Sequence, residues 1–173
     1  MPDASRAPGP AASEVPLGSS LVRLELNGVV AQLTLARPEK LNALTPAMME
    51  ALEEAVAVLE DRGGLRVAIL TGEGERAFCV GADIGEWSAL EPLDMWRRWI
   101  RKGHRVFDRL ARLRQPLIAV LNGHALGGGL ELAATADLRI VEAHAKLGLP
   151  EAGIGTIPER RGLSARFSVY HPK

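Results

Sequence analysis

The sequence predicts an α/β fold, with parallel or near-parallel strands and helices packed outside them. Three observations carry the prediction. An alternating stretch around Asn27-Gly28 reads as a hairpin, two short unbroken apolar runs read as strands, and helical periodicity fills the intervals. The order is hairpin, helix, strand, helix, strand, helix, strand, the pattern of a chain returning to one sheet.

Residues 21–35, LVRLELNGVVAQLTL, alternate in polarity on both sides of Asn27-Gly28, a strong short-range hairpin pattern. RPEKLNAL follows as a loop. Thr45 can cap a helix with Pro46 at its first position, and Met49, Leu52, Val56 and Leu59 recur at helical spacing until Gly63-Gly64 stops the run. VAILT, at 67–71, is expected to be a strand buried on both faces. GEGERAFCVGADIGEW is a glycine-punctuated loop, and Asp94 to Leu113 a second helix ending before Pro116. Leu117 to Leu121 is another buried strand. A glycine loop, a short helix over roughly 128–136, the strand LRIVEA and the loop HAKLGLPEAGIGTIP follow.

The 173 residues suit one domain with a substantial core. Lysine plus arginine number 21, equal to aspartate plus glutamate, so no global field favours nucleic acid or a membrane surface. A small anion held by local groups remains compatible with that balance. The apolar run from Leu117 to Ala136 is broken by Asn122, His124, three glycines and Glu131, which argues against a membrane span. Residues 1–20 are rich in Pro, Ala, Ser and Gly, lack the pattern of a secretory or transit signal, and read as a disordered tail. Cys79 is the only cysteine, so no intramolecular disulfide can form and a reducing, cytoplasmic compartment is expected. Cys79 itself reads as a small, partly buried hydrophobe.

Arg97, Arg98, Arg101, Lys102, Arg105, Arg109 and Arg112 share one helix, and a solvated face accounts for them better than an anion site. Trp96 and Trp99 are expected in the core or lining an apolar pocket. His104 and His144 have no partners at metal-ligand spacing, His171 lies near the terminus, and His124 is expected to be structural. No metal site is predicted.

The segment HALGGGLELA, 124–133, places three glycines between a strand and a helix. Glycines let a ligand approach backbone N–H groups, and a helix's first N–H groups have no internal partners. Such a site can receive a phosphate or the oxyanion that develops on a reacting carbonyl. The spacing GxGxxG is absent, as is a Walker lysine. Close helix–sheet packing is an equally good account of three glycines taken alone. Glu131 follows inside the helix, and Glu151 twenty residues later lies in a loop beyond the next strand. Two carboxylates converging beside an oxyanion donor would be equipped for proton transfer next to a polarised carbonyl.

The segments RPEKLNAL, ERAFCVGADI, NGHALGGGLELAATADLRI and LPEAGIGTIP resemble those of the enoyl-CoA hydratases of the crotonase superfamily, in order and with matching intervals, over about Leu21 to Pro158. The resemblance implies a spiral of ββα units that binds acyl-CoA thioesters. It implies that the backbone N–H groups of Ala82 and Gly128 form an oxyanion hole, and that Glu131 and Glu151 are the two catalytic glutamates. Glu151 would be the principal acid/base and Glu131 would orient the water. The implied reaction is reversible syn hydration of a trans-2-enoyl-CoA to a 3-hydroxyacyl-CoA. Isomerisation, another crotonase chemistry, or an inactive chain that still binds acyl-CoA are the alternatives. Coenzyme A belongs to the substrate, so no separate cofactor is implied. Val80, Ala82, Asp83 and Ile84 match the loop gripping pantetheine and thioester, Lys40, Leu41 and Ala43 match another CoA-contacting stretch, and Gly127 and Gly128 line the thioester. Asp83 reads equally well as a turn-stabilising residue.

After GTIP the family continues with a GxGGTQRL-like segment and several helices, whereas this chain reads ERRGLSARFSVYHPK, with Glu159 at a family glycine position. The expected organisation is a tail over 1–20, a crotonase-like core over 21–158, and an atypical tail over 159–173, as from a shifted or alternative reading frame. The C-terminal helical region would then be missing, and with it much of the contact that builds the family's homotrimers and hexamers, which counts against such an assembly here.

Overall fold

The computed structural model describes residues 12–150 and the backbone of Val169–Tyr170. A hairpin begins the main sheet: β2 (Val22–Asn27) and β3 (Val30–Leu35) pair antiparallel, Leu24 opposite Leu33 and Asn27 opposite Val30. Gly28 and Val29 are the turn, and only Gly28 has positive φ, +58°. That is the type II′ pattern, with glycine first, rather than the type I′ turn that Asn27-Gly28 would centre. β1 (Ser13–Val15) adds antiparallel to β2, with Glu14 opposite Glu25. The expected disordered tail is therefore wrong for its last residues, where backbone pairing with an exposed edge orders a short polar segment.

α1 (Pro46–Asp61) crosses to β4 (Val67–Gly72), which lies parallel to β3. The Thr45 hydroxyl accepts from the Met48 amide at 3.1 Å, as expected of an N-cap ahead of Pro46. β6 (Leu117–Leu121), β8 (Leu138–Val141) and β10 (Val169–Tyr170) extend the sheet in parallel, giving the order β1-β2-β3-β4-β6-β8-β10. α1 buries Met48, Met49, Leu52, Val56 and Leu59 against Leu24, Leu33, Leu35 and Leu70. Each such side chain contributes about 1.5–3 kcal/mol of transfer free energy.

β4 is not buried on both faces. Ala68 and Leu70 are buried and Val67, Ile69 and Thr71 only partly so, and β6 alternates likewise. Among the described residues the helices cover one side of the sheet, so an unbroken apolar sequence still yields two unlike faces.

A second sheet of three short parallel strands, β5 (Ala77–Cys79), β7 (His124–Leu126) and β9 (Leu147–Gly148), lies in segments expected to be loops. α2 (Ile84–Ser88) likewise falls in the first of those loops. Between α2 and β6 runs a helical stretch: α3 (Pro92–Asp94), a π-helical Met95–Arg101 and α4 (Lys102–Ala111). α5 (Gly128–Ala134) joins β7 to β8. Main-sheet strand, small-sheet strand and helix thus recur as β4-β5-helix and β6-β7-α5, the ββα unit that the resemblance implied.

The π segment separates the two tryptophans. Its wider turn advances each residue through a smaller angle, so residues three apart no longer share a face. Trp99 is buried at 4% exposure while Trp96 is 55% exposed, correcting the expectation for Trp96. The basic helix face is also not merely solvated: Lys102, Arg105 and Arg109 pair with Glu50, Glu53 and Glu60 of α1. No helix among the described residues is long and apolar enough to cross a membrane.

Candidate active site

The small sheet brings two loops together. The chain leaving β5 passes through Val80, Gly81 and Ala82 to α2, and the chain leaving β7 passes through Gly127 to α5. β5 pairs with β7, so these two exits lie side by side. Gly81 has φ +94°, and a Cβ built there would stand 3.1 Å from the Leu126 carbonyl oxygen and 3.2 Å from the Gly128 amide nitrogen, so strain and crowding both favour glycine.

Ala82 is held from one side. Leu44 donates its N–H to the Gly81 carbonyl at 2.7 Å and accepts from the Asp83 N–H at 2.8 Å, an isolated parallel bridge between Leu44 and Ala82. In that pattern the N–H and C=O of Ala82 itself point to the opposite edge. On the other loop, Gly127 caps α5 and its carbonyl accepts the Glu131 N–H at 3.0 Å, the first bond of the helix. The Gly128 amide belongs to the first turn, where helix geometry supplies no acceptor. Among the described residues, neither the Ala82 nor the Gly128 amide donates to a backbone or side-chain acceptor.

The three glycines differ. Gly127 adopts φ +51° and ψ −128°, which a side chain would strain. A Cβ on Gly129 would collide with the Cys79 carbonyl, so its bareness is what lets α5 pack on β5. A Cβ on Gly128 would meet nothing nearer than 3.8 Å, and the atoms at that distance are Oε2 of Glu131 and Cα of Gly81. Glu131 is buried, at 3% exposure, in the first turn of α5. The structure therefore gathers Gly81, Ala82, Gly127, Gly128 and Glu131 in one place. Glu151 lies outside the described residues.

The segment matched to CoA contact sits beside this centre. Lys40 ends a short 3₁₀ helix (Pro38–Lys40) and is exposed, while Ala43 is buried. Leu41 and Asn42 both have positive φ, 53° and 55°. Two residues missed in the sequence hold this loop. The Asn42 side chain accepts from the Arg37 N–H at 2.9 Å and donates to the carbonyls of Glu73 and Ala77. Asn is among the few residues tolerant of left-handed backbone, and its place between Leu41 and Ala43 in a loop was the available sign. Arg37 donates to the Ala43 carbonyl and to the Asp83 carboxylate.

Asp83 has the turn-stabilising role: its Oδ1 accepts the Gly85 and Glu86 amides at 3.0 and 3.3 Å, capping α2. The Arg37 hydrogen bond, the largest effect, holds its carboxyl below the usual aspartate range against desolvation, the next in size, with smaller help from the Glu86 and Gly85 amides. Val80 is half-buried and Ile84 is 63% exposed at the start of α2. His124 accepts the Lys146 N–H at Nδ1 and packs near His144, consistent with a structural histidine. Cys79 is fully rather than partly buried.

A family model described as enoyl-CoA hydratase/isomerase matches residues 25–166. The chain belongs to the enoyl-CoA hydratase/isomerase family. Within that family it is 40% identical over 137 residues to a short-chain-enoyl-CoA hydratase of Clostridium acetobutylicum, covering 79% of this chain and 52% of that protein. It is 39% identical over 154 residues to a carnitinyl-CoA dehydratase of Salmonella arizonae, covering 89% and 58%. The crystal structure of an enoyl-CoA hydratase from Bacillus anthracis superposes with a TM-score of 0.77 at 33% identity, over 81% of this chain and 54% of that one. The fold is therefore the crotonase-like fold of the family, and the chain spans about half the length of the curated relatives it matches.

Proposed function

We propose that this site adds water reversibly to a trans-2-enoyl-CoA thioester, giving a 3-hydroxyacyl-CoA. The observation that carries the reading is the buried Glu131 carboxylate set beside Gly128, next to two amides without an acceptor among the described residues. In this reading the thioester oxygen lies between the amides of Ala82 and Gly128. Water oxygen bonds to C3, the C2=C3 π pair moves toward C2 and the thioester, and the amides stabilise the enolate charge. Glu131 orients the water and helps take its proton, Glu151 gives its own proton to C2, and the proton from water replaces it on Glu151, so that both parts of water are accounted for. Val80, Asp83 and Ile84, with Lys40, Leu41 and Ala43, border the path for pantetheine and nucleotide.

The competing readings are isomerase-type chemistry, which can proceed with one carboxylate, and acyl-CoA binding without turnover. The test assays crotonyl-CoA hydration by the 173-residue chain and by a form carrying a family-like C-terminal region after Pro158. The extended form is expected to turn over, Glu151→Gln and Glu131→Gln each to lose about 10²-fold or more, and binding to persist in both. Near-normal hydration in either variant would refute the two-carboxylate assignment, and a harmless Glu131→Gln alone would favour isomerisation. Binding without turnover in both parent forms would favour the inactive reading.

A further inference from the structure

Arg37 lies between the two loops that meet at the proposed oxyanion site. Its side chain is 13% exposed, and one nitrogen, Nη1, reaches both loops: the Asp83 carboxylate at 2.7 Å and the Ala43 carbonyl at 3.2 Å. Glu39 and Glu86 stand 3.8 and 3.9 Å from other guanidinium nitrogens, at ion-pair rather than hydrogen-bond range. Asp83 is thus the carboxylate that Arg37 grips. Its second oxygen is already committed to the first amides of α2.

We infer that Arg37 is a positioning residue, which latches Asp83 to the 37–44 loop and thereby aims the Ala82 amide at the ligand carbonyl. The inference rests on the oxyanion role proposed for Ala82. The peptide plane carrying the Ala82 N–H is tied through Gly81 and Asp83 to the two backbone bonds of Leu44. Those bonds hold their direction only while the 37–44 loop and Asp83 keep their relative place. Arg37 spans that junction with a charge-assisted hydrogen bond, the short and directional kind. An oxyanion donor acts through its aim, and displacement of about 1 Å can cost on the order of 10²-fold in rate. Because the same loop carries Lys40, Leu41 and Ala43, the latch also couples the CoA-contacting segment to the carbonyl's donor.

The test uses an aryl-enoyl-CoA whose absorption band moves to the red when its thioester carbonyl is polarised, bound to the full 173-residue chain. Wild type is compared with Arg37→Met, which keeps the stem without the charge, and with Arg37→Lys, which keeps the charge without the planar fork. Asp83→Asn is the partner control, since it retains an oxygen to cap α2. Arg37→Met is expected to lose more than about half of the red shift per bound ligand while its Kd changes by no more than about threefold, because most contacts are untouched. Arg37→Lys is expected to fall between. Should Arg37→Met not fold, Arg37→Lys and Asp83→Asn carry the comparison. A residue serving stability alone would lower the melting temperature and leave the shift per bound ligand intact, and that result overturns the latch. A wild-type chain that shows no shift, bound or unbound, overturns the oxyanion reading and the latch together.

Discussion

At Gly129 a side chain would collide with the Cys79 carbonyl, whereas at Gly128, one position earlier, a Cβ would make only ordinary contacts, at 3.8 Å with Glu131 and Gly81 and 4.0 Å with Leu44. The two glycines therefore stand in different surroundings, one where a Cβ is excluded and one where it is accommodated, although their letters are the same. The sequence showed that HALGGGLELA was unusual and left packing and ligand approach equally good accounts. The structure supplies the packing account at Gly129, and ligand approach is the proposed account of Gly128. Distinguishing them requires the neighbour across the gap, and Cys79 is fifty positions away in sequence. Gly129→Ala is accordingly expected to destabilise the fold by about 1–3 kcal/mol, the usual range for overpacking, in urea denaturation. Gly128→Ala should stay within about 1 kcal/mol of the parent. Equal losses at the two positions would contradict this division.

The hairpin and α1 with its Thr45 cap were legible from their periods, and the strands at 67–72 and 117–121 from unbroken apolar runs, though not their one-sided burial. The small sheet was not, because β5, β7 and β9 contain two or three residues each, too few for alternation to register. Yet these strands place Ala82 and Gly128, so the least legible elements are those that build the site, and only the family resemblance pointed to the pair. α2 offers a test at this scale. Its cap, Asp83, has a carboxyl held below the usual range by Arg37 first and by amides second, so its charged form is favoured in the fold. A depressed folded-state value means the stabilisation is complete above the unfolded aspartate pKa, about 3.9, and disappears as pH falls through the lower folded value. The stability gap between wild type and Asp83→Asn should be constant near neutrality and close in acid, with Glu39 and Glu86 also facing Arg37. A gap that widened on acidification would contradict the assignment.

Across the whole molecule, the main sheet has one face packed on helices and another carrying a ladder in register. Ile69 pairs with Ile118 and Ile118 with Leu138, while Thr71, Val120 and Ile140 form the next row. Leu138 and Ile140 are 57% and 45% exposed, and Ile84, Leu93 and Trp96 add exposed apolar surface elsewhere. Contiguous apolar surface of this kind drives association. The 173-residue chain is expected to self-associate in light scattering, and a Leu138→Lys, Ile140→Lys double variant to do so less. A monodisperse monomer at high concentration would contradict the expectation. The account as a whole turns on whether the bare amide at Gly128 serves a reacting carbonyl. The most direct measurement is the hydration rate of crotonyl-CoA by Gly128→Val against its parent, in the form extended after Pro158 and below both melting temperatures. The account predicts a loss of about 10²-fold or more, the scale of a lost oxyanion contact, with little change in melting temperature. An unchanged rate in a variant that merely melts earlier would contradict it.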